Sequence, residues 1–156
     1  MPKGFAIIEV VIVLVVGAVI MLTVFLIVPQ LQRSSRNSLR QRDAKSLITS
    51  AYEFRDSGKL SGIAIGPNVN NTDAFTDYLP RTPFNDPNGN AYKIFITNNN
   101  VSRNTAGNIT IGFNRACSAP ISTSQNLTES SGNVAIVVPL EPFGNINRFC
   151  IDDAGE

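Results

Sequence analysis

The chain has 156 residues, 43% of them hydrophobic and 16% charged, with 13 Lys and Arg against 12 Asp and Glu for a formal net charge of +1. It contains no His and only two Cys, which excludes an ordinary triad base and an imidazole ligand and leaves too few side chains for a thiolate metal site. The charge is unevenly distributed: residues 29–60 carry +4 and residues 61–156 carry −3.

From Phe5 to Val28 the only charged residue is Glu9. As a helix this run is about 36 Å long at about 1.5 Å per residue, enough for one crossing of a hydrocarbon core roughly 30 Å thick. A cleaved secretory signal has a shorter apolar region ending at a small-residue cleavage site, and Val28-Pro29-Gln30-Leu31 offers none. A plain membrane anchor has no use for an acid. A carboxylate inside a span costs about 2.5–3.5 kcal/mol at the bilayer centre and less near the interface, so Glu9 calls for a partner.

Lys3-Gly4-Phe5-Ala6-Ile7-Ile8-Glu9 resembles the prepilin signal of the type IV pilin and pseudopilin family. The resemblance implies a leader of residues 1–4, cut by a prepilin peptidase between Gly4 and Phe5, with Phe5 as the N-methylated new N-terminus. It implies that Glu9 meets the N-terminal amine of a neighbouring subunit during assembly. The physical reading agrees, because the positive end of a helix dipole favours an anion in the first turns and desolvated opposite charges attract strongly. Arg33, Arg36, Arg40, Arg42 and Lys45 follow the span. By the positive-inside tendency they would hold the C-terminal side in the cytoplasm. The leader, read by its own enzyme, implies export of that side.

The helix is expected to continue past Val28, with a kink at Pro29, which lacks a backbone donor and clashes with the preceding turn. Family members often carry such a Pro near position 26, where this chain has Leu26. Ala44, Leu47, Ile48, Ala51 and Tyr52 then recur at helical spacing, with Leu31 and Leu39 before them, an amphipathic pattern. Gly58 is placed to cap the C-terminus, giving one helix from Phe5 to near Asp56. The basic run reads as a solvated helix face near anionic lipid head groups; attraction to nucleic-acid phosphate is the competing reading, and nothing else in the sequence supports it.

Beyond Gly58 the composition turns to Asn, Thr, Ser, Gly and Pro. Residues 58–91 read as a long structured loop. Four β-prone runs follow at 92–97, 109–113, 134–138 and 146–151, with Asn-rich turn chemistry between the first two. Four strands in succession predict an antiparallel sheet packed on Leu47, Ile48, Ala51 and Tyr52. The expected fold class is therefore α+β: a long N-terminal helix, transmembrane in its first half, packed on a four-stranded antiparallel sheet, the pilin fold. Its organisation is a leader at 1–4, an assembly helix at 5–28, an amphipathic stalk at 29–57 and a globular head at 58–156. Residues 83–92 partly match the Asp-Pro-aromatic-Gly…Tyr segment of major pseudopilins, with Asn88 at the aromatic position; locally they read as a turn entering a strand. Asp152 and Asp153 do not reproduce the calcium-loop pattern of that group, and six to eight oxygens are needed, so no metal or cofactor is assigned. Export puts Cys117 and Cys150 in an oxidising compartment, where pairing is favoured, and many type IV pilins carry a bridge near the C-terminus. Free thiols or intermolecular bridges are the alternatives.

No phosphate loop and no activated nucleophile are recognisable, so no enzymatic activity is expected. The resemblance implies a structural pilus subunit, resident first in the cytoplasmic membrane with an exported C-terminal domain and then in an extracellular homo-oligomeric filament. Its partners would be membrane lipid, prepilin peptidase, the pilus assembly machinery and further copies of itself; adhesion, motility or DNA uptake would belong to the assembled pilus. The alternatives are a pseudopilin of a type II secretion system and, in a different class, a monomeric membrane-anchored binding domain.

Overall fold

The computed structural model describes residues 6–98, 105–118, 127–143 and 147–153. The chain opens on α1 (Ile7–Asp56), a 50-residue helix that passes through Pro29. It stops where the sequence supplies a stop: the Gly58 N–H donates to the Arg55 carbonyl at 3.1 Å, and Gly58 takes φ 77°, a conformation glycine adopts without steric cost. The chain divides into two compact units, residues 1–35 and residues 36–156. The second half of α1 therefore belongs to the head.

Within the head, four strands form one sheet in the order β1 (Lys93–Ile96), β2 (Asn108–Ala116), β3 (Thr128–Pro139) and β4 (Arg148–Asp152). The sheet is mixed, which corrects the antiparallel expectation. β2–β3 and β3–β4 are antiparallel, but β1 runs parallel to β2, from Lys93 opposite Asn108 to Ile96 opposite Ile111. A parallel neighbour requires the chain to travel back along the strand before pairing. β1 has only four residues. Of the Asn-rich turn expected at 98–100 and 104–108, Asn99, Asn100 and Asn104 lie outside the described residues, as does Ile146 at the start of the fourth run.

The free edge of β1 is covered. The Gly66 and Asn71 N–H groups donate to the Ile96 and Ile94 carbonyls at 2.8 Å each. The Asn71 Oδ1 and Thr72 Oγ1 accept the Ile96 and Ile94 N–H groups. An edge so satisfied offers no template for further strands. The covering segment is not a plain loop: it holds a 3-10 turn at Lys59–Gly62, the short helix α2 (Thr72–Phe75) and a second 3-10 turn at Thr76–Tyr78.

The core lies between α1 and one sheet face. Ala44, Leu47, Ala51 and Phe54 of α1 meet Ile94, Ile96, Ile109, Ile111, Phe113, Val134, Ile136, Val138 and Ile151. Phe54 anchors an aromatic cluster with Phe75 at 5.0 Å and Tyr78 at 5.3 Å between centroids. The opposite sheet face is also buried, under Leu127, Ala135, Val137 and Cys150. Gly112 leaves room for this second layer: a Cβ there would run into Leu127 Cδ1. Cys117 and Cys150 form a disulfide with Cα atoms 5.9 Å apart, tying the end of β2 to β4 across this layer.

Candidate functional site

Two groups of residues carry the chemistry. The first is the N-terminal part of α1. Ile7, Val13, Leu14, Met21, Leu22, Phe25 and Leu26 are each at least 64% exposed. Isolated in water, such a surface would cost about 25 cal/mol per Å² of apolar area left uncovered. It is the one helix among the described residues long and apolar enough to cross a membrane, by length and composition. Glu9 lies in its first turn, donating its N–H to the Ala6 carbonyl at 2.9 Å, beside Val10, Val13 and Leu14. Gly4 and Phe5 lie outside the described residues. Pro29 lies inside the helix.

The second group was not foreseen. Arg40 is completely buried. Its guanidinium grips Asp86 with two bonds, Nε to Oδ1 at 2.6 Å and Nη2 to Oδ2 at 3.0 Å. Its remaining nitrogen, Nη1, donates to Glu141 Oε1 at 2.9 Å and to Asn37 Oδ1 at 3.2 Å. Arg36 holds both oxygens of Glu141. Asn37 exchanges two bonds with the Glu141 backbone, each at 2.8 Å. One turn further on, Asp43 accepts from Arg81 at 2.7 Å and from the Tyr92 hydroxyl at 3.0 Å. One helix face thus clasps the 86 turn, the 141 turn and the entry to β1.

The turn at 83–92 explains how Asp86 is presented. The Gly89 N–H donates to the Asp86 carbonyl, the Asp86 N–H to the Asn90 carbonyl, and the Asn88 N–H to Asp86 Oδ2 at 3.0 Å. The turn enters a strand, as its Pro and Gly imply, and also supplies the counter-ion for Arg40.

The electrostatics follow from this packing. The Arg36 hydrogen bonds, followed by those of Arg40, lower the Glu141 carboxyl from its ordinary 4.5 to about 2. Burial, followed by the Asp43 charge, holds the Tyr92 hydroxyl well above its ordinary range, so it serves as a neutral donor. For Arg40 desolvation opposes the charge, but its bonds to Asp86 and Glu141 outweigh it and the net shift is upward. The sign of the pH dependence follows. The unfolded Glu141 takes up its proton near 4.5, while the folded group resists until about 2. Stability from Glu141 is therefore complete above about 4.5 and is lost as pH falls toward 2, by roughly 1–3 kcal/mol. Chemical denaturation of the detergent-solubilised chain at steps between pH 5 and pH 2 should show this slope, and Glu141→Gln should flatten its share of it. An unchanged slope in the variant would remove the assignment.

These contacts correct the reading of the basic run as one solvated face. Arg36 and Arg40 turn into the head as ion pairs, while Arg33, Arg42 and Lys45 remain exposed. The helix stripe is as expected at Ala44, Leu47 and Ala51, which are buried, and at Ile48 and Tyr52, which pack partly buried against the core; Phe54 joins it fully buried, and Leu39 is 44% exposed. A signal was present, because Arg40 and Asp43 fall in helical phase with Leu47, Ala51 and Phe54. A charged residue in phase with an apolar stripe points to a buried ion pair. Among the described residues no cluster of three or more His, Cys, Asp or Glu could hold a metal. Asp152 accepts the Cys117 N–H at 2.9 Å, and Asp153 accepts from the Tyr52 hydroxyl at 2.5 Å.

Comparison with family models, with curated proteins and with solved structures finds no match.

Proposed function

We propose that this chain is a filament-forming subunit of the type IV pilin kind, stored in a membrane through residues 5–28 and polymerised by exchanging lipid contacts for contacts between helices. The observation that carries the reading is Glu9, a carboxylate at the start of a helix whose following apolar residues, through Val28, are all exposed. A simple anchor gains nothing from that acid and bears its insertion cost. A polymerising helix gains a partner-specific contact that forms only when copies meet. Within the head, Ala44, Leu47, Ala51 and Phe54 of the same helix pack into the core. The disulfide braces the outer layer of a domain that would work outside the cell, where such bridges persist.

The experiment is mass analysis of the protein recovered from membranes and from sheared surface filaments. The expected species lacks residues 1–4 and starts at methylated Phe5, and Gly4→Leu should accumulate as an uncut precursor, because a side chain at that position obstructs close approach to the scissile bond. Wild-type protein that retains residues 1–4 in both fractions would overturn the reading.

A further inference from the structure

The exposed side of the head's helix carries a sign-reversed charge stripe. Arg42, Lys45, Glu53 and Asp56 are all exposed, opposite the buried Arg40, Asp43, Ala44, Leu47, Ala51 and Phe54. Arg42 precedes Glu53 by eleven residues, and Lys45 precedes Asp56 by the same eleven. Eleven residues are about three helical turns and about 16 Å of rise, so both pairs repeat on one face with the same offset. Only small polar side chains, Ser46 and Thr49, punctuate the exposed face between them. The side chains of Arg42, Lys45 and Glu53 take no part in the ion pairs among the described residues; the Glu53 carbonyl accepts the Ser57 N–H at 3.0 Å. Asp56 accepts from Arg55 Nε at 3.0 Å and its side chain stays 67% exposed; the other end of Arg55 is held by the Gly132 carbonyl at 2.7 Å.

We propose that this stripe docks a second copy of the same chain, parallel and displaced by about three helical turns, with Arg42 and Lys45 of one copy on Glu53 and Asp56 of the other. The inference rests on the filament reading above and adds a register to it. Parallel direction follows because every copy enters the membrane by the same end of the same helix. Copies arranged around a common axis turn the same face inward, so stripe meets stripe. Level copies put Arg42 against Arg42 and Glu53 against Glu53, and like charges repel. Displaced copies put opposite charges together. A bilayer holds its copies level, because a 16 Å offset would pull about half of a 30 Å span out of the hydrocarbon. The stripe therefore opposes association in the membrane pool and favours it once a copy has been drawn outward. A helical filament gives each copy more than one class of neighbour, so this contact and the Glu9 contact fall on different neighbours. Exposed ion pairs fix register and direction more than they add affinity; the apolar helix supplies the drive.

The test uses the full chain in sheared filaments. Two differently tagged copies are co-expressed, one carrying Ser46→Cys and the other Ser57→Cys, a pair with the same eleven-residue offset, and are treated with a short bis-maleimide. The expected product is a 46–57 adduct between tags in filaments and not in the membrane pool. Reversing the basic half in both copies, Arg42→Glu with Lys45→Glu, should lower the adduct about tenfold, since like charges then face one another at the favoured offset. Adding Glu53→Lys and Asp56→Lys should restore it, because the stripe is again complementary with its signs exchanged. Restoration also excludes simple misfolding of the reversed chain. Wild-type filaments without the adduct, with 46–46 adducts in its place, or with an adduct indifferent to charge reversal would overturn this inference and leave the filament reading standing. Absence of any wild-type filament would overturn both.

Discussion

Asp86→Ala is expected to destabilise the head by about 3–5 kcal/mol, the cost of stranding a buried charge whose partner has been removed. Arg40 has no exposed surface, so water cannot replace the two bonds it makes to Asp86. Glu141 still takes one nitrogen, but it is shared with Arg36. The Asn88 N–H also loses its acceptor, loosening the turn before β1. Against a typical total of about 5–15 kcal/mol, this leaves the domain marginal. The measurement is the denaturation midpoint of the detergent-solubilised chain for wild type, Asp86→Ala, Arg40→Met and the double variant. The double variant should lose much less than the sum of the single losses, because it leaves neither charge of that pair stranded. Additive losses, or a loss under about 1 kcal/mol in Asp86→Ala, would show that the pair is not the clasp between helix and turn.

Local rules that act through neighbouring residues were legible in the sequence, and contacts between distant segments were less so. The end of α1 could be read because a glycine stop is a property of a few adjacent residues, and the β-prone runs because alternating apolar residues follow from burial of a sheet face. The direction of β1 could not. An Asn-rich segment is compatible with any reversal of the chain, and whether it returns beside the strand in a hairpin or crosses back to run parallel depends on what occupies the other edge. Here Gly66, Asn71 and Thr72 occupy it, a pairing no local pattern announces. The clasp was half legible. Arg40 and Asp43 stand in the apolar phase of the helix, yet a reading that treats charge as solvent-facing places them outside and brings Leu39 into the stripe. Their partners are distant in sequence: Asp86 is 46 residues from Arg40 and Glu141 is 101. The same reading counted five basic residues as one patch, where packing separates the two that hold the head together from those left for solvent or partners. Glu9 was legible because a single charge in a long apolar run is conspicuous whatever the fold.

Glu9→Ala is expected to leave the chain in the membrane and out of filaments. Removing the carboxylate makes residence in lipid easier, by up to about 3 kcal/mol if the group sits deep and less near the interface, so the membrane pool should be at least as large as in wild type. The head should fold unchanged, because Glu9 and the clasp residues belong to separate compact units. The loss falls on the encounter between copies. On the proposed reading the carboxylate pairs with the N-terminal amine of the arriving subunit in a medium that screens poorly, where an ionised hydrogen bond is about twice as strong as a neutral one. The pair also sets axial register, because an amine four residues from the carboxylate offers one depth at which both are satisfied. Losing about 1.4 kcal/mol per contact is a tenfold loss per addition step, and polymerisation repeats the step. Sheared-filament yield should therefore fall by well over tenfold while the membrane fraction holds, measured by immunoblot in cells that carry no other copy. Glu9→Asp, with the charge kept and its reach shortened, should recover part of the yield; Glu9→Gln, with the reach kept and the charge removed, should recover little. Equal yields from Glu9→Ala and wild type would leave the acid without a role in assembly and return the helix to a plain anchor.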